Sequence, residues 1–150
     1  MKTTLTAPQL SPFEAWDYLA RARTFREAAF QLTEMLAGQP NWPKYFLLGH
    51  AIELALKAVP KYCQQSPSHQ KPSGKTPADH DLVGQYEWAK LHGLPANDIA
   101  EKMMPHLSGL HLEHFARYPQ PLKPVIMISE FDDLVDSILS DVTKFVRLGD

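Results

Sequence analysis

The chain has 150 residues, with 15 Lys and Arg against 17 Asp and Glu, a net charge of -2 and a pI near 6.4. That length suits one domain with its own core, and the charge balance excludes a broadly basic nucleic-acid-binding surface. A single cysteine, Cys63, excludes an internal disulfide and any CxxC motif. No apolar run of about 18 residues marks a membrane span, so the expectation is a soluble, cytoplasmic chain forming one domain over residues 1–150.

Thirteen prolines punctuate the sequence and leave proline-free windows in which helices can run. The first, "SPFEAWDYLARARTFREAAFQLTEMLAG", offers Ser11 as N-cap, Pro12 at the first helical position and Gly38 as terminator. Tyr18, Ala22, Phe25, Ala29, Leu32 and Leu36 form its apolar stripe. A second helix is expected over residues 44–62, after the turn "GQPNWP". Residues 64–78, "QQSPSHQKPSGKTPA", lack apolar periodicity and read as a mobile loop. Asp79 then caps a third helix that carries Leu82, Val83, Tyr86 and Ala89 inward and ends at Gly93. A fourth spans about residues 97–114, bent or restarted at Pro105, and the proline-fixed "ARYPQPLKP" connects it to the last. There, Ser129 and Asp132 resemble a capping box, and Phe131, Leu134, Val135, Ile138, Leu139, Val142, Phe145 and Val146 recur at helical spacing. Five helices without a convincing strand predict an all-α, up-and-down helical bundle.

The second helix raises the functional question. In "GHAIELALKAV", residues 49–59, apolar side chains cover nearly the whole circumference, as on a helix enclosed by neighbours. His50, Glu53 and Lys57 form one polar strip at i, i+3 and i+7. An intrahelical Glu53–Lys57 ion pair with His50 beside it accounts for the strip locally. A ligand site built between facing helices accounts for it functionally.

The order of short motifs, "GHAIELALKA" on the second helix, "HDL" opening the third and "ARYP" before the last, resembles the HEPN domain family over nearly the whole chain. The resemblance implies a helical bundle that commonly pairs with itself. It also implies service in RNA cleavage, in nucleotide or RNA binding, or as the partner of a nucleotidyltransferase in toxin and antitoxin pairs. Nuclease members carry an Arg, four to six residues, then a His. No histidine follows Arg21, Arg23, Arg26, Arg117 or Arg147 at that spacing, so a binding or partner domain is expected rather than a nuclease. The alternatives are a metal-independent endoribonuclease toxin using His111, His114 and Arg117 in reversed order, or a helical adaptor that docks another protein.

The candidate ligand-binding set is His50, Glu53, Lys57, His80, Asp81, Arg117 and Tyr118. "DHD" at residues 79–81 also serves as a helix cap. Arg117 equally suits the C-terminal end of the fourth helix, while Tyr118 offers a stacking ring or a plug for the bundle. His106, His111 and His114 show neither HExxH spacing nor a cysteine partner, so no metal is expected. No P-loop, GxGxxG or GxSxG motif is present, and no cofactor is expected. The expected partners are a second copy of the chain, a nucleotidyltransferase, and a nucleotide or RNA, with no membrane and no DNA.

Overall fold

A computed structural model describes residues 14–66, 69, 72–112 and 128–148, with the backbone alone at 109–112, 128, 129 and 148. The chain forms an all-α bundle of five described helices: α1 (Ala15–Phe30), α2 (Trp42–Gln65), α3 (Leu82–Leu91), α4 (Asp98–Leu112) and α5 (Ile128–Leu148). A two-stranded antiparallel ladder, β1 (Met35–Leu36) with β2 (Gln39–Pro40), joins α1 to α2.

α2 is the axis of the fold. It packs against α1, α3, α4 and α5, which is why its apolar residues need no preferred side. Leu48, Ala51, Ile52, Ala55, Leu56, Ala58 and Val59 are all fully buried. Pro43 sits in the first turn, where its missing N–H is no loss. On α1 the buried alanines Ala15, Ala22 and Ala29 recur every seventh residue and permit close approach of neighbouring backbones.

The first helix is shorter than its periodicity predicts. The Ser11 cap lies outside the described residues; the observed N-cap is Glu14, whose N–H donates to Asp17 Oδ2 at 2.8 Å. α1 stops at Phe30 instead of Gly38, because the following residues fold into a hairpin. Ala37 and Gly38 both take positive φ (53° and 77°), as the centre of a tight hairpin turn requires. Asn41 closes the base, its backbone N–H donating to Glu34 O at 2.9 Å and its Nδ2 to Thr33 O at 2.8 Å. Leu36, expected on the buried stripe, is exposed together with Met35.

The later helices follow their signals more closely. α3 is capped by Asp81 rather than Asp79: Gly84 N–H donates to Asp81 Oδ1 at 2.9 Å. It ends in a Schellman arrangement, with Gly93 (φ 111°) donating to Lys90 O at 3.0 Å and Leu94 to Ala89 O at 3.1 Å. α4 runs through Pro105 as one element, and Asn97 Oδ1 accepts the Ala100 N–H at its start. Phe131, Leu134, Val135, Ile138, Leu139, Val142 and Val146 of α5 are buried as expected, and Phe145 is half-buried.

The segment expected to be a mobile loop is fastened at several described points. Ser66 Oγ lies 3.0 Å from His69 Nδ1, Trp88 Nε1 donates to Ser73 O at 2.9 Å, and Gln85 Nε2 donates to Ala78 O at 3.2 Å. No described helix is long and apolar enough to cross a membrane.

Candidate functional site

Glu53 sits midway along α2 with its side chain only 4% exposed, and each carboxylate oxygen has a partner. Lys57, one turn later, places Nζ 3.2 Å from Oε2. His80, in the turn before α3, places Nδ1 3.0 Å from Oε1. The buried side chains of Gln85 and Ser108 hold this turn, since Gln85 reaches Ala78 O and Ser108 Oγ accepts the Val83 N–H at 3.2 Å. Helix pitch and a tethered turn together bring Glu53, Lys57 and His80 into one cluster.

Lys57 Nζ also lies 3.1 Å from Asp79 Oδ1. Burial alone would lower the Lys57 pKa, but Asp79 and Glu53 outweigh it and raise the group above its ordinary value, so it stays an ammonium. The cluster thus grades outward from a buried carboxylate through a 27%-exposed ammonium to an exposed carboxylate, with a 36%-exposed imidazole alongside. A carboxylate can only accept hydrogen bonds, so Nδ1 of His80 is the protonated nitrogen of the pair. In the neutral ring Nε2 is then the basic atom. Chemically, the set can orient an imidazole and hold an anion or a polar edge near an ammonium.

The remaining expected residues divide. Asp81 adjoins His80 in sequence, but one of its oxygens caps α3. His50 lies between rings, edge-on to Phe25 with centroids 4.5 Å apart and parallel to Phe46 at 6.1 Å. His114, Arg117 and Tyr118 lie outside the described residues, as does the side chain of His111. Asp79, expected to cap α3, pairs with Lys57 instead, while Asp81 makes the cap. The sequence signal for this is the presence of two acids beside one helix start, which needs a single cap.

A second polar cluster, without a local sequence motif, joins α2 to α5. Lys44 of α2 is buried, with Nζ 3.5 Å from Asp132 Oδ2 and 3.3 Å from Leu32 O. Burial pushes the Asp132 carboxyl above its ordinary pKa of 3.8, against the opposing pull of Lys44. Asp132 Oδ1 and Asn41 Oδ1 are buried without a hydrogen-bond partner among the described residues. These residues tie the start of α5 to the chain leaving the hairpin. Among the described residues no group of three His, Cys, Asp or Glu side chains could hold a metal ion. No family model, curated protein or solved structure matches the chain.

Proposed function

We propose that the chain is a HEPN-type helical domain acting as a binding or partner module, with Glu53, Lys57 and His80 as its working polar groups and a nucleotide or RNA as its ligand class. The observation that carries this reading is the buried Glu53 carboxylate, bound by a partly exposed imidazole and ammonium in the middle of a helix whose neighbouring residues, Leu48 to Val59, are largely enclosed by apolar packing. The order of the three short motifs and the all-α bundle support the family assignment. The missing Arg-then-His spacing favours binding over cleavage. Pairing with a second copy, or with a nucleotidyltransferase, belongs to the same proposal. Exposed Trp16, Met35, Leu36 and Ile99 offer apolar contact for either partner.

The test titrates ATP, and separately a short single-stranded RNA, into the full chain and into Glu53→Gln. The amide keeps the side-chain volume while removing the charge. Without the carboxylate that orients Lys57 and His80, binding is expected to weaken by about tenfold or more, with the helices retained by circular dichroism. Equal binding by the two proteins, or no binding of either ligand by the parent, refutes the site. Light scattering over a dilution series checks self-association, and a strict monomer refutes that component.

A further inference from the structure

Between α1 and α5 lies an open groove of about 570 Å³. Its lining carries four cations, Arg23, Arg26, Lys144 and Arg147, against two carboxylates, Glu27 and Asp136. The groove is therefore net positive by two on a chain that is net negative by two. Both carboxylates are engaged by one cation. Arg26 Nη1 lies 2.6 Å from Glu27 Oε1, and its Nε and Nη2 lie 2.8 and 3.2 Å from the Asp136 oxygens. The same guanidinium lies 3.9 Å over the Phe30 ring, which fixes it as a strut between the helices. The surplus charge belongs to the other three.

Arg23 Nη2 donates to Thr143 Oγ1 at 3.0 Å, and the Thr143 hydroxyl donates onward to Leu139 O at 2.6 Å. That chain orients the Arg23 fork while leaving most of its donors for a ligand. Lys144 and Arg147, one turn apart on α5, make no ion pair among the described residues. Ser140, one turn before Lys144, adds a hydroxyl to the same lining. Among the described residues no aromatic ring lines the groove, and its lining offers charge and hydroxyl donors to an occupant.

We propose that the α1/α5 groove binds the phosphoryl groups of a small phosphate-bearing molecule, with Arg23 on one wall and Ser140, Lys144 and Arg147 on the other. Guanidinium forks match phosphoryl oxygens bidentately, and an ammonium completes the charge. Two carboxylates in the lining and the acidic character of the whole chain disfavour a polymer track, which depends on many uncompensated cations. The groove shares no residue with the Glu53 cluster and does not depend on the reading above.

The experiment is calorimetric titration of the full chain at low salt with inorganic pyrophosphate and, in a second arm, with ADP. Saturable binding of both is expected, weakened about tenfold or more in the Lys144→Ala/Arg147→Ala double variant. Lys102→Ala, an exposed lysine outside the groove, should bind like the parent. Both altered side chains are on the surface, and circular dichroism checks that the variants keep their helices. Absence of saturable pyrophosphate binding, retention of parent affinity in the double variant, or binding of ADP alone overturns the proposal. A short single-stranded RNA held by the same two side chains and not displaced by pyrophosphate also overturns it.

Discussion

Removing Lys57 should damage the fold more than removing Glu53, although Glu53 is the more deeply buried of the two. In Lys57→Met the carboxylate stays in place, 4% exposed, with its ammonium partner gone and the His80 contact at 3.0 Å remaining. A buried charge stripped of its partner typically costs about 3–5 kcal/mol; the surviving His80 bond places the expected loss near about 3 kcal/mol. In Glu53→Leu the buried charge itself disappears. Lys57 keeps Asp79 at 3.1 Å, and both Lys57 and His80 reach water. Two charge-assisted bonds, worth about 1.5–3 kcal/mol each, are lost, while burying a leucine instead recovers about 1.5–3 kcal/mol. Rehydration of the two partners reduces the loss further, giving a net cost of about 2 kcal/mol or less. The double variant should resemble Glu53→Leu alone, because Lys57 has no buried charge left to compensate. Urea unfolding of the four proteins, compared at equal m-values, measures each difference. If Glu53→Leu proves as costly as Lys57→Met or costlier, the cluster is not a buried anion held by more exposed partners.

Three further outcomes are expected. Gly84→Ala adds a Cβ that would stand 2.5 Å from Asp81 Oδ2 and 3.2 Å from Pro77 Cβ; loss of the cap, about 1 kcal/mol, together with the clash exceeds the roughly 1 kcal/mol gain in helix propensity, so a thermal melt should show net destabilisation and a rise in Tm counts against it. Ala37→Asn should stabilise by up to about 1 kcal/mol, because the residue already sits at φ 53° and asparagine tolerates that region better; an unchanged urea midpoint would contradict the turn geometry. Asp132 has a folded-state pKa raised by burial, so above 3.8 the native state retains this proton longer than the unfolded chain does. Stability from this group is therefore highest below 3.8 and falls as pH rises through the raised value, and Asp132→Asn should lack that downward component when unfolding is measured upward from pH 3.8.

Much of the architecture was legible because period and enclosure speak directly. α5 showed its inward face through residues 131–146, and α2 showed, by apolar residues over nearly its whole circumference, that it had neighbours on most sides. The hairpin was not legible. Leu32 and Leu36 continue the i, i+4 spacing of the preceding helix, and Ala37-Gly38 lacks the Asn-Gly signature of a tight turn. What decides the matter is the closure by Asn41 onto Thr33 and Glu34, contacts that no local pattern encodes. Glu53 and Lys57 could be paired from helical pitch alone, whereas His80 joins them through the path of a tethered loop. The cap passed from Asp79 to Asp81 because two acids flank His80, and a lysine far away in sequence claims the first. The basic groove joins residues from opposite ends of the chain and has no local signature.

The buried alanines govern where this sequence is free to change. Ala15, Ala22 and Ala29 on α1, and Ala51, Ala55 and Ala58 on α2, leave no room for a larger side chain without moving a neighbouring helix. Each enlargement would overpack the interior at a cost of about 1–3 kcal/mol, so these six positions set the width of the bundle. The outward faces of α1 and α5 carry no such restriction. New recognition chemistry can therefore be written across the groove that they form while the spacing beneath it stays fixed.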